Sequence, residues 1–449
     1  MATILTEREA QALCNRALRH ITADSAQVDV LSRVGANTRF AVNEVSSGGD
    51  VTDVVVTLSA QVGRQSASVT LNQRDDRALA EAGRKLEALV QLAPEDPELM
   101  SLLEPQTYVS VDAFFERSAE LSAVARAEAV GTIIGQAREA GLIAAGFLAH
   151  DTTARAVANS AGLFAYHRST VASLSTTVRT ADGTGSGWAG TTHNDWDRIA
   201  TPAALAARAI QKAEGSAAAM PVEPGKFTVV LEPTAVASLV TRMPAALDAR
   251  AADEGRSPFA RAGGGTTVGE QIADSRVTLR SDPSHPDILE QPFTDEGLAL
   301  SPTVWVERGI LRNLGYDRYW AAQRGRAPLP VGGGLVMEGG SASVDELVSS
   351  VERGLLVTRF WYIRPVNPRT LTYTGLTRDG TFLIENGRVT RAVKNLRFNE
   401  SVLGMLSRVE ALGTVERAIA SESGGLGPAV VVPPLVIRDF TFTAVSDAV

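Results

Sequence analysis

From residue 27 to about 72 apolar and polar side chains alternate in four runs, QVDVLSRV, TRFAVNEV, DVVVTLSAQV and ASVTLNQ, divided by Gly, Asn and Ser breaks. A period of two belongs to half-buried strands, and breaks this short join antiparallel neighbours, so the segment reads as an antiparallel meander. A helix precedes it: Thr6 and Glu9 make a capping box, and Ala10, Leu13, Cys14, Ala17, Leu18 and Ile21 share one stripe. Cys14 lies on that stripe and reads as a small core residue, since no base stands beside it.

Helices are expected next at 75–92 and 112–140, the first halted by Pro94 and Pro97, then strands at 142–149, 153–158 and 163–180. The stretch 185–197, GSGWAGTTHNDWD, has the composition of a loop. After a helix at 202–214 comes GSAAAMPVEPGK, a connector of small residues and prolines. With 449 residues the chain exceeds what one core serves, and two domains are expected, 1–220 and 221–449. The second half combines strands with helices at 233–252, 316–323, 343–353 and 400–420, and has hairpin signals at Arg308-Gly309, Asp379-Gly380 and Asn386-Gly387. Without regular βαβ alternation the class is α+β, each domain built of antiparallel strands with interspersed helices.

Net charge is -8, and basic residues cluster only in short groups such as Arg324 and Arg326. Nucleic acid and anionic membrane are therefore not expected partners. Neither a spanning apolar run nor a basic leader followed by an apolar stretch is visible, which gives a cytoplasmic expectation. A single cysteine fits that compartment.

The histidines, His20, His150, His167, His193 and His285, show no metal-ligand spacing. The glycine triplets at 263–265 and 332–334 lack the context of a phosphate cradle and read as loops. In Phe293-Thr294-Asp295-Glu296-Gly297 two adjacent acids sit on a turn and are expected to point apart. Trp188 and His193 in the 185–197 stretch could line a peptide pocket, with an anchored loop as the plainer reading.

Taken in order, TRFAVNEV, NSAGLFAYHRSTVASLSTTVRTADGTGSGW, FTVVLEPTAVASLV, VTLRSDPSHPD, PFTDEG, VERGILRNLGYDRYWA, GLLVTRFW and FLIENGRVTRAVKN resemble the TldD/PmbA (TldD/TldE) family over nearly the whole chain. The resemblance implies that the helix after FTVVLEP corresponds to the one carrying His-Glu-x-x-x-His in TldD-type members, where two imidazoles hold zinc beside a catalytic glutamate. Here Thr241, Arg242 and Ala246 occupy those positions, and SESGGLGPAVVVPPL lacks the further cysteine ligand. It thus implies a PmbA/TldE-like chain with no catalytic residue and no bound cofactor, zinc being expected in a TldD-type partner subunit. The expected function is that of a non-catalytic subunit of a peptide-degrading or peptide-processing heterodimer, which takes peptide in extended form against a sheet edge. The alternative is a homodimeric peptide-binding or scaffold protein; a non-zinc enzyme using the 185–197 stretch is a third reading. Arg242, Trp188 and His193 are the candidate peptide-cavity residues.

Overall fold

The computed structural model describes residues 3–420, 426 and 429–446. Thr6 opens the helix Glu7–Leu18 through the expected capping box: its hydroxyl accepts the Glu9 N–H, and the Glu9 carboxylate accepts the Thr6 N–H. Cys14 is fully buried, and loss of water pushes its thiol up to about 12.

Six strands follow: β1 (Ser25–Ala41), β2 (Glu44–Val62), β3 (Gln65–Leu71), β4 (Ile143–Asn159), β5 (Phe164–Arg179) and β6 (Ser186–His193). They form an antiparallel sheet in the order β3-β2-β1-β4-β5-β6. The four runs of the meander become three strands. Ala36 and Asn37, which look like a break, stay extended because β2 and β4 pair along both sides of them. The chain instead turns at Val42-Asn43, whose φ values of 52° and 60° suit a two-residue hairpin.

Three further expectations are corrected. Residues 112–140 hold one short turn, Glu116–Ala119, and the helix Ala123–Glu139, which starts where the Ser122 hydroxyl accepts the Ala125 N–H. Residues 186–193 are not a loop but the strand β6, paired with β5. The sequence there is small because the helix Pro202–Gly215 presses on it: a Cβ on Gly187 would lie 2.2 Å from the Ala209 carbonyl oxygen. In 400–420 the helix ends at Leu406, and Val409–Leu412 and Glu416–Ile419 are strands.

The remaining strands make two sheets. One runs Ile310–Leu311, Thr303–Glu307, Leu279–Ser281, Leu335–Met337, Ala429–Val432, Glu416–Ile419. The other runs Arg353–Asn367, Gly225–Leu231, Leu435–Val445, Leu396–Ser401, Thr372–Glu385, Arg388–Ala392. Arg308-Gly309 and Asn386-Gly387 are hairpin turns, with positive φ at each residue. Asp379-Gly380 is not: it lies inside the strand Thr372–Glu385, where the register with Arg353–Asn367 slips, so the pair forms a bulge at φ 54° and 123°.

Between these two sheets lies the largest core, in which Val229, Leu231, Leu239, Met243, Phe360 and Phe440 meet. The helix Pro233–Val240 is apolar around its circumference because it runs through this core, with seven of its eight residues buried. Helix and sheet content of this kind, with mostly antiparallel pairing, is an α+β fold. No described helix is long and apolar enough to cross a membrane.

Candidate functional site

The segment expected as one helix over 233–252 is three. Pro233–Val240 is followed by Met243–Ala246 and Ala249–Asp253. Pro244 has no N–H to offer the Val240 carbonyl and its ring crowds that oxygen, so the first helix stops. Asp248 starts the third helix by accepting the Ala251 N–H.

Thr241 caps the first helix, and its hydroxyl donates to the Ala237 carbonyl at 2.8 Å. Ala246 offers no donor atom. Arg242 brings a cation where a dication would have to sit. This set does not fit zinc, which takes imidazole, thiolate or carboxylate ligands. Among the described residues no cluster of three or more His, Cys, Asp or Glu side chains could hold a metal ion. Residues 421–425 and 427–428, within the stretch compared with the family's cysteine region, lie outside the described residues.

Cavities flank this broken segment. Pro244, Leu247 and Asp248 line an open cleft of about 730 Å³, together with the 293–298 turn and Gly332-Gly333. Four of its five acids are engaged in structure, and burial raises the fifth, Glu290, against the pull of Arg417. Asp295 pairs with Arg155 at 2.7 Å and Glu296 with Arg318 at 3.0 Å, pointing apart as expected of turn neighbours. Asp248 and Asp317 cap helices. Arg242, Ala245 and Ala246 face a smaller cavity of about 170 Å³, closed by Arg256, Pro258, Pro365, Leu371 and Tyr373. The Arg242 guanidinium lies 5.6 Å from the Tyr373 ring centre, and its buried Nε has no hydrogen-bond partner.

Trp188 and His193 are both buried, at 4% exposure, but neither reaches the Arg242 cavity. Trp188 lines a cleft of about 680 Å³ where the first sheet meets the bulged strands. Arg359 stacks on it at 4.7 Å and faces Asp379 at 3.6 Å, while Ser186 donates to the same carboxylate at 2.7 Å. Arg378 sits 4.3 Å over Trp361 in that cleft.

His193 ends β6. Its Nδ1 accepts the Asp195 N–H at 2.9 Å, and Nε2 is buried without a partner. Burial, reinforced by Arg417 and Arg198, lowers it to about 4. A neutral ring with one nitrogen committed is a poor general base near neutral pH. The three candidates therefore occupy separate surroundings. Arg256, Tyr373, Arg359 and Arg378 were not singled out from sequence; Arg359 and Arg378 become neighbours only through the pairing of their strands.

Comparison with known proteins places this architecture. The model of the PmbA/TldA metallopeptidase central domain matches residues 104–217, and that of the C-terminal domain matches 224–444. Proteins described as metalloproteases from Archaeoglobus fulgidus and Methanothermobacter thermautotrophicus are each 25% identical to the chain, over 173 and 163 residues. Those stretches are 36% and 33% of this chain and 39% and 35% of the relatives, so the chain spans under two-fifths of the curated relatives it matches.

Among solved structures, TldE from Thermococcus kodakarensis superposes with a TM-score of 0.86 at 20% identity, covering 97% of this chain and 99% of that one. A putative modulator of a DNA gyrase from Thermotoga maritima gives 0.80 at 17%, covering 93% and 96%. At these identities the superpositions establish the fold. The two domain models, which between them span most of the sequence, establish more: the chain belongs to the TldD/PmbA metallopeptidase family.

Proposed function

We propose that this chain is the non-catalytic subunit of a TldD-type zinc metalloprotease complex that degrades or processes unfolded peptides, the zinc and the catalytic glutamate being carried by the partner. The observation that carries the reading is the chemistry at 241–246. The fold of the family is kept around this segment, while the three positions offer a hydroxyl bonded to its own helix, a guanidinium and a methyl group. A metallopeptidase needs ligands for its metal and a base for the attacking water, and neither is supplied here. What remains are walls: two cavities that border the broken helix.

A sheet edge suited to extended peptide is also present. β3 pairs with β2 only over Val56–Val62, so the segment 44–55 bonds β1 on one side alone among the described residues. Backbone pairing along such an edge accepts varied side chains. The test is metal analysis and peptidase assay of the chain purified by itself. Zinc well below one per chain with no cleavage is expected; stoichiometric zinc with cleavage contradicts the reading.

A further inference from the structure

The cavity beside the broken helix holds two guanidinium groups and no carboxylate. Arg256 is ion-paired with Glu254, which also takes Arg250. Arg242 is different. Among the described residues its side chain has no hydrogen bond or ion pair, only the ring of Tyr373 nearby, and its Nε is sealed from solvent. Arg242 is only half-buried, but its Nε is closed off without a hydrogen bond, and buried polar nitrogens in folded proteins are ordinarily paired. This arginine stands on a wall of a cavity into which an anion could come.

We propose that the cavity binds the C-terminal carboxylate of a peptide, held by the Arg242 fork and supported by Arg256. Carboxylate geometry matches a guanidinium in two parallel hydrogen bonds, the strongest pairing available to arginine. At about 170 Å³ the space admits an end group and not a whole ligand. Around the cation the wall is largely apolar, with Pro258, Pro365, Leu371 and the Tyr373 ring, beside the polar Ser257, Asn367 and Thr372. A terminal residue presents a carboxylate and an apolar side chain from one Cα, which suits this wall. An internal Asp or Glu would bring backbone on both sides, more than about 170 Å³ accommodates. The preferred last residue is accordingly small and apolar, such as Ala or Val. This assignment rests on the reading of the chain as a peptide-holding wall, and gives that wall a polarity: the peptide's C-terminus is fixed at the break in the helix.

The test is calorimetric titration of the full chain, alone, with an N-acetylated pentapeptide ending in Val as the free acid and with its C-terminal amide. The free acid is expected to bind at least about tenfold tighter than the amide. Arg242→Gln should bring the acid to the level of the amide without lowering the melting temperature, Arg242→Lys should restore part of the preference, and acetate should compete better than inorganic phosphate. Equal binding of acid and amide, binding of neither, a preference that survives Arg242→Gln, or stronger competition by phosphate overturns the proposal. Because no partner is present, absence of a protease subunit in cells does not affect this result, and loss of the carboxylate preference leaves the subunit assignment standing.

Discussion

Lys212 Nζ donates to Glu232 Oε2 at 2.6 Å, with 13% and 15% of the two side chains exposed. The pair ties the last turn of Pro202–Gly215, which packs on the first sheet, to the residue that starts Pro233–Val240. Removing one partner leaves the other charge buried and alone, so Lys212→Met is expected to cost about 3 kcal/mol. Combining it with Glu232→Gln should recover most of that loss. Urea unfolding of the single and double variants checks the coupling.

Close approach of helix and strand makes a second prediction. Gly187→Ala would drive a methyl against the Ala209 carbonyl and the Ala213 N–H, and should cost about 1–3 kcal/mol. Gly131, inside the helix Ala123–Glu139, faces open space. There Gly→Ala should stabilise by about 0.5–1 kcal/mol. Opposite shifts in thermal midpoint are the expected outcome.

Buried histidines set an acid limit on stability. Burial lowers His150, His167 and His193 to about 4 each, with nearby arginines adding to the effect at His150 and His193. Unfolded imidazoles bind protons near pH 6.5, so below that value the unfolded chain holds more protons than the folded one. Stability is therefore full above about pH 6.5 and falls toward pH 4, by about 1.4 kcal/mol per pH unit for each ring. His167→Phe should flatten the slope by one ring's share when urea midpoints are compared from pH 7.5 to 4.5.

The backbone at the broken helix predicts what cannot be restored simply. Replacing Thr241→His, Arg242→Glu and Ala246→His together recreates the family's residue types, but Pro244 still ends the helix between them. Two imidazoles on such a backbone fall short of the three or four ligands that protein zinc sites use. Metal analysis after dialysis should find no stoichiometric zinc in this variant; tight zinc would mean that the local geometry already suits a ligand set.

Much of the fold was legible because its signals are local. The Thr6/Glu9 box and the Asn386-Gly387 turn need only their own residues, and both form as read. Asp379-Gly380 carries the same turn signal yet makes a bulge. Hairpins and bulges both call for positive φ, and the choice between them was made by the partner strand at Thr358. The hairpin at Val42-Asn43 was hidden because a β-branched residue at positive φ advertises no turn. β6 was hidden by its glycines, which are there for packing and not for a loop: Gly187 makes room for the helix lying on it, and Gly190 for the Trp188 ring and Ile419. At the candidate site, Arg242 was visible through the family pattern. Arg256 and Tyr373 were not, since only tertiary folding brings the Thr372–Glu385 strand over the break in the helix.

The central claim, a binding subunit serving a separate zinc protease, is tested most directly by purifying the tagged chain from its native cells and identifying what elutes with it. The account predicts a near-stoichiometric relative of the same family carrying His-Glu-x-x-x-His, with all zinc and all peptidase activity following that partner. Recovery of the chain only as a homodimer, or with stoichiometric zinc and peptidase activity of its own, would contradict it.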